Sequence, residues 1–264
     1  MAHLLIFGLG YTAKRIRTAL EERGWQVEAT GSAGPINFTD RDAVLSALDR
    51  ATHILSSVPP DRKNGLDPVL DAYGSDFSHA WCGYLSSTGV YGDTSGAWVD
   101  ESAPTGTGRR NSRSAADALW VSRKARVFRL PGIYGPTRSA LDRVQSGKAR
   151  RIEVPGQVFS RVHVDDIASG VVAAMIGDAP AGAYNLADDL PASGNVVTEE
   201  ACRLLGVAPP PLETLDQATL SEMARGFYSE NRRVANHKAK RVLRWQPRYP
   251  TYVEGLASLF SPQR

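Results

Sequence analysis

Cysteine is scarce in this sequence: only Cys82 and Cys202 occur among 264 residues. That excludes a disulfide-stapled scaffold, and the two have no metal-like spacing. The histidines, His3, His53, His79, His163 and His237, form no HxxxH or HxH cluster, so no metal site is expected. No apolar run reaches about 18 residues, so no membrane-spanning helix is expected. The opening "MAHLLIFGLG" lacks the basic start of a signal peptide and runs directly into a strand pattern. These absences point to a reduced, cytoplasmic protein. Neither sign of charge dominates, since 31 Lys and Arg against 28 Asp and Glu leave +3. That balance, with no aromatics interleaved among basic residues, argues against a nucleic-acid partner.

The chain is 42% hydrophobic and 22% charged, a globular composition that excludes wholesale disorder. Its length suits one large domain, or a domain with a small second lobe. Strand and helix signals alternate through the first half. "HLLIF" is a continuous apolar run, as in a strand buried on both faces. "TAKRIRTALEERG" has helical spacing, with Ile16 and Leu20 on one face and Gly24 as its stop. "WQVEAT", "THILSSV", "WCGYLSS" and "ARVFRL" read as further strands. "RDAVLSALDRA", "LDPVLDAYGSDF" and "SRSAADALWVSR" read as helices between them. This alternation predicts a parallel sheet wound by right-handed crossovers: an α/β, Rossmann-type doubly wound fold.

After Tyr134 the texture changes. "GPTRSALDRVQSGKARRIEVPG" is polar and turn-rich, "VHVDDIASGVVAAMIG" is a helix, and "GAYNLAD" is a short strand. The rest reads as helices broken by "APPPL" and "QPRYP". The expected division is a dinucleotide-binding domain of residues 1–133 and 162–188, with a small, mainly helical C-terminal lobe of residues 134–161 and 189–264.

"FGLGYTA" places Gly8, Gly10 and Ala13 in a G-x-G-x-x-A pattern between a strand and a helix. Gly8 permits the tight turn, Gly10 admits a pyrophosphate to the backbone, and Ala13 lets the helix pack closely. Tyr11 belongs to the same loop, and Thr12 adds a hydroxyl. The second strand ends "VEATGSAG", which puts Thr30, Gly31 and Ser32 where an acidic ribose partner usually stands. Glu28 lies too early and reads as a solvated strand residue. Without a carboxylate there a 2′-phosphate is not repelled, so NADP(H) is favoured over NAD(H), with Arg15 as a candidate for that phosphate.

"SSTGVYGD", "FRLPGIYGP", "RVHVDDIA" and "NHKAKRVLRWQP" together resemble, in order and spacing, the extended short-chain dehydrogenase/reductase (NAD-dependent epimerase/dehydratase) family over nearly the whole chain. The resemblance implies a Rossmann domain holding NAD(P), with a small lobe over the substrate. It implies that Ser87 is the catalytic hydroxyl, bonded to the substrate oxygen, with Ser86 beside the cofactor. It also implies that "SVPP" (Ser57, Val58, Pro59 and Pro60) lies against the adenosine side, and that "LPGI" (with Pro131 and Ile133) lies near the nicotinamide.

The family's Tyr-x-x-x-Lys pair is missing. If Asp117 matches the acidic residue that usually follows in the helix, Arg113 stands at the Lys position and Arg109 at the Tyr position. An ungapped register from "ESAPTG" instead places Ser112 and Ala116 there. No Tyr occurs between Tyr91 and Tyr134. Arg109 keeps its proton near neutral pH, since its pKa exceeds about 12. Tyr134 reads as structural, with a substitute acid/base role as the lesser alternative, and Tyr91 reads as packing in its turn. Asp93, Asp100 and Glu101 read as solvated or capping residues, and Asp165 and Asp166 as a helix cap.

Basic residues cluster at Arg109, Arg110 and Arg113, at Lys148, Arg150 and Arg151, and from Arg232 to Arg248. They read either as solvated faces or as a pocket for a phosphate-bearing small molecule. "SRSAADALWVSR" would suit a homodimer interface of the family's kind, and an ordinary intramolecular helix would look the same. Two functions remain open: an NAD(P)-dependent oxidoreductase or epimerase/dehydratase-like enzyme on a small polar, nucleotide-linked substrate, or a non-catalytic NAD(P)(H)-binding sensor or scaffold.

Overall fold

The apolar runs of the first half become a six-stranded parallel sheet in the computed structural model, which describes residues 2–77, 81–109 and 111–260. His79 and Arg110 lie outside the described residues. The first half runs β1 (His3–Phe7), α1 (Tyr11–Glu21), β2 (Gln26–Ala29), α2 (Arg41–Arg50), β3 (His53–Ser56), α3 (Pro68–Tyr73), β4 (Trp81–Ser87), β5 (Trp98–Val99), α4 (Asn111–Ser122) and β6 (Arg126–Leu130). The second half runs β7 (Gly132–Tyr134), α5 (Ala140–Gln145), β8 (Arg151–Glu153), β9 (Arg161–His163), α6 (Val164–Ile176), β10 (Gly182–Asn185), α7 (Gly194–Leu205), β11 (Leu212–Thr214), α8 (Glu222–Phe227), β12 (Arg233–Val234), α9 (His237–Val242) and α10 (Tyr252–Leu259).

The sheet order is β10-β6-β4-β3-β1-β2. The chain leaves β1 for β2 on one side and then crosses to β3 on the other. The order therefore reverses between β1 and β3, and the crevice at their C-terminal ends is the binding position of an open α/β sheet. The stretch after β2 touches the sheet only through an isolated parallel bridge between Thr30 and Ile36.

Both faces of the sheet are covered, which explains the unbroken apolar run of β1. On one face α1 presents Ala13, Ile16 and Leu20 to Val171 and Ala174 of α6. On the other, Val44 and Leu48 of α2, Val69 and Tyr73 of α3, and Trp120 of α4 cover Leu5, Ile54 and Tyr84. Burying each large side chain of this kind is worth roughly 1.5–3 kcal/mol. α4 buries Ala116 and Trp120 and exposes Leu119 and Val121.

The segment read as polar and turn-rich contains a helix, α5, and a strand, β8. Ser139 and Asp142 close a capping box at the start of α5. Leu141, Val197, Ala201 and Leu256 form a separate apolar cluster that joins α5, α7 and α10. The start of α6 also differs from expectation. His163 caps it by accepting the Asp165 N–H at Nδ1 (3.2 Å), while Asp165 and Asp166 occupy its first turn. Among the described residues no helix is long and apolar enough to cross a membrane.

Candidate cofactor and substrate cleft

The turn from β1 to α1 is built by hydrogen bonds from its neighbours. Thr30 N–H donates to the Ile6 carbonyl at 2.8 Å, and Leu9 N–H donates to the Thr30 carbonyl at 3.1 Å. The Ser57 hydroxyl donates to the Gly8 carbonyl. Gly8 has φ +86°, and a Cβ there would lie 2.9 Å from Val58 Cγ2 and 3.1 Å from Ser57 Oγ. Gly8 is thus required by both backbone and space. Gly10 differs: it is the N-cap of α1, no side chain caps the helix, and a Cβ on it would meet nothing within 4 Å. Open space therefore stands before the positive end of an 11-residue helix, the cradle that a diphosphate group fits. Ala13 is buried beneath it, and the Tyr11 hydroxyl donates to the Pro136 carbonyl at 2.9 Å.

At the end of β2, Thr30 is buried and Ser32 is exposed. Glu28 is no free solvated residue. It pairs with Arg50 at 3.0 Å and lies 2.8 Å from His3 Nε2. Arg15 pairs with Asp165 of α6 at 2.9 Å, so it is directed toward α6 and engaged there.

The hydroxyls that end β4 face different ways. Ser86 is buried and donates to Asp117 Oδ2 at 2.6 Å, so it offers its hydrogen to no ligand. Ser87 is half-buried, and its Oγ accepts the Gly89 N–H at 3.1 Å, which leaves its own hydrogen to donate. Beneath them runs a buried network. Arg129 grips Asp117 with two bonds of 2.7 and 3.1 Å and donates to the Tyr91 hydroxyl at 3.0 Å. Tyr91 in turn donates to Asn185 at 2.8 Å. Tyr91 therefore does more than pack its turn. β6 reads Arg-Val-Phe-Arg-Leu, and nothing in that pattern tells that Arg129 is sealed from water while Arg126 is not.

The helix register can be read from burial. Ala116 lies in the apolar cluster under α4 and cannot face a cofactor. Arg113 lines a cleft of about 340 Å³ with Pro59, Pro60, Arg62 and Ser112. Arg109 pairs with Glu230 at 3.3 Å and lies over the Phe227 ring at 5.3 Å, tied to the C-terminal segment. Tyr134 points its hydroxyl at α10, where a Cβ on Gly255 would collide with it. Burial pushes the Tyr134 pKa well above the usual phenol range, which opposes acid/base work there. Pro131 and Ile133, at the end of β6 and in β7, are half-buried.

Among the other acids, Asp93 accepts N–H groups of Ser95 and Asn231, and Asp100 accepts that of Ser102. Glu101 is partly buried and accepts the Asn185 N–H at 2.7 Å, and burial pushes its pKa up. Asp166 is buried and accepts the N–H groups of Arg248 and Tyr249 at 2.6 and 3.1 Å. Several members of the basic clusters are ion-paired: Arg150 with Glu213, Arg151 with Glu199, and Arg232 with the buried Glu230. Among the described residues no group of three or more His, Cys, Asp and Glu could hold a metal.

Comparison with known proteins follows this geometry. No family model matches the chain. A functionally unknown conserved protein from Silicibacter pomeroyi DSS is 40% identical, with 98% of each chain covered and a TM-score of 0.87. A human epimerase family protein, SDR39U1 (isoform 2) with NADPH, has a TM-score of 0.76 at 16% identity, over 97% of this chain and 98% of that one. Among curated proteins, a Streptomyces 3-diazoavenalumate denitrifying reductase is 35% identical over 140 residues, 49% of this chain. That match spans only 45% of the reductase's own length. Protein YeeZ of Escherichia coli (strain K12) is 26% identical over 244 residues, 80% of this chain and 86% of that protein.

Proposed function

The chain belongs to one family with the conserved Silicibacter pomeroyi protein and has the fold of the extended short-chain dehydrogenase/reductases, and from that premise we propose that it is an NAD(P)(H)-dependent oxidoreductase of small polar substrates. The observation that carries this reading is the open cradle before Gly10, at the uncapped start of α1 and at the switch point of the sheet. The backbone of Gly8 to Ala13 would hold the diphosphate, and Thr30 and Ser32 would border the adenosine ribose. Val58 and Pro59 would line the crevice wall. No free carboxylate closes β2, because Glu28 is held by Arg50, and this supports NADP(H) over NAD(H).

The nicotinamide, when bound, supplies the hydride chemistry. The chain's own part is orientation. Ser87 keeps its hydrogen for a substrate oxygen because its lone pair already takes the Gly89 N–H. Arg113 stands in the position of the family's lysine and lines the cleft next to the crevice. A guanidinium is no proton carrier, and Arg109 serves to tie the C-terminal segment down through Glu230. The fitting substrates are those that need no proton from the protein. The Streptomyces relative, a 3-diazoavenalumate denitrifying reductase, brings diazo acids into consideration.

A second reading, an NAD(P)(H)-binding sensor without turnover, is favoured by the same lack of a proton carrier in the cleft. NADPH consumption over a panel of diazo acids, simple carbonyl compounds and nucleotide-linked sugars separates the two. Turnover that falls in Ser87→Ala supports the enzyme. Cofactor binding with no turnover on the whole panel supports the sensor.

A further inference from the structure

We propose that Arg62 and Arg113 form an oxyanion subsite, and that the molecule taken up beside the cofactor is a small acid carrying a carboxylate or a phosphate group. The two guanidinium groups line the same cleft of about 340 Å³, together with Ser112 and the paired prolines Pro59 and Pro60. Among the described residues neither arginine forms an ion pair with a carboxylate. The acids around the cleft are committed elsewhere. Asp61 turns Oδ1 to the N–H groups of Lys63 and Asn64, at 2.6 and 3.4 Å. Asp67 accepts from Val69 N–H, Leu70 N–H and the Trp120 indole, each within 3.0 Å. Asp117 is held by Arg129. No carboxylate is paired with either guanidinium, so both can turn to an anion in the cleft.

Its two arginines are placed by a hydrogen-bonded loop and a helix. Asp61 N–H bonds the Leu66 carbonyl at 2.8 Å and Gly65 N–H bonds the Asp61 carbonyl at 3.0 Å, so the loop bearing Arg62 closes on itself. A Cβ on Gly65 would stand 3.6 Å from Ser112 Cβ, so that loop packs against the first turn of α4. Arg113 lies in that turn beside the buried Tyr84 hydroxyl, a polar neighbour that steadies its guanidinium without neutralising it. Two planar guanidinium groups with a helix N-terminus between walls of proline match an oxyanion better than a neutral polar group. The site is also separate from the diphosphate cradle, which is built from backbone N–H groups of the β1–α1 turn.

The inference rests on the cleft being the substrate end of the proposed dinucleotide site, so the test reads the two apart. Benzoate, phenyl phosphate and neutral benzamide are titrated calorimetrically into the protein, with and without saturating NADPH. The expected result is binding of at least one anion and none of benzamide, with affinity reduced about tenfold or more in both Arg62→Gln and Arg113→Gln. Preference for benzoate identifies a carboxylic acid substrate, and preference for phenyl phosphate a phosphorylated one. Arg62 is exposed, so its variant tests the subsite without risk to folding. No anion binding in either form, or binding unchanged in both variants, overturns the subsite. Anion binding that persists while NADPH fails to bind overturns the cofactor reading alone.

Discussion

Ser87 and Asp188 illustrate what single residues contribute. The Ser87 hydroxyl has one hydrogen to give and is no part of the β1–α1 turn, so Ser87→Ala is expected to lower turnover and leave NADPH affinity nearly unchanged. One such bond in the transition state is worth about 2–4 kcal/mol, or roughly 30- to 1000-fold in rate. Unchanged turnover would remove Ser87 from the chemistry. Asp188 is buried and has no ion-pair partner among the described residues. Burial pushes its pKa up to about 7, against the pull of nearby Arg161. The folded chain then binds more protons than the unfolded one between about pH 4 and that value. Stability from this group is present below about pH 4 and is lost as pH rises toward 7. Against Asp188→Asn, urea unfolding is expected to show the variant's advantage growing by up to roughly 4 kcal/mol over that window and levelling off above it. Other titrating groups cancel in the difference, and a pH-independent difference would contradict the assignment. Ser87 is legible in the sequence because a motif surrounds it. Asp188 and Arg129 are not, because only the assembled fold decides which strand-end side chains are sealed from water.

The turn between β1 and α1 is the element on which cofactor binding depends, and its two glycines differ in kind. Gly8→Ala forces an alanine to φ +86° and against Val58, a cost of order 1–3 kcal/mol that thermal unfolding of the apo-protein reads directly. Gly10 sits at φ −84° with room for a side chain. Gly10→Val is therefore expected to unfold at nearly the wild-type temperature and yet lose protection by NADPH, since the side chain fills the diphosphate's place. A Gly10→Val protein still protected by NADPH would show the cradle to be misassigned. Long buried strands such as β1 and β4 and the amphipathic α1 are readable from apolar pattern alone. The six-residue α5 is not, since its capping box supplies what periodicity cannot at that length. The cap of α6 was likewise hidden, because Asp165 and Asp166 look like caps until Arg15 and the Arg248–Tyr249 backbone claim them.

At the scale of the whole molecule the account rests on one alignment: the reversal of strand order between β1 and β3 coincides with the uncapped helix start and with the cleft of Arg62 and Arg113. The parallel sheet and its doubly wound course follow from the alternation of strand and helix signals. Which strands flank the reversal is decided only in the folded sheet, where β2 forms the edge and the stretch after it adds no more than the Thr30–Ile36 bridge. The central claim, that this crevice holds a nicotinamide dinucleotide, is tested most directly by thermal unfolding against NADPH and NADH. A ligand at 100 times its dissociation constant adds about 2.7 kcal/mol, a rise of roughly 5–10 °C for a chain of this size. The account predicts such a rise with NADPH, at least as large as that with NADH. No shift with either nucleotide would contradict it.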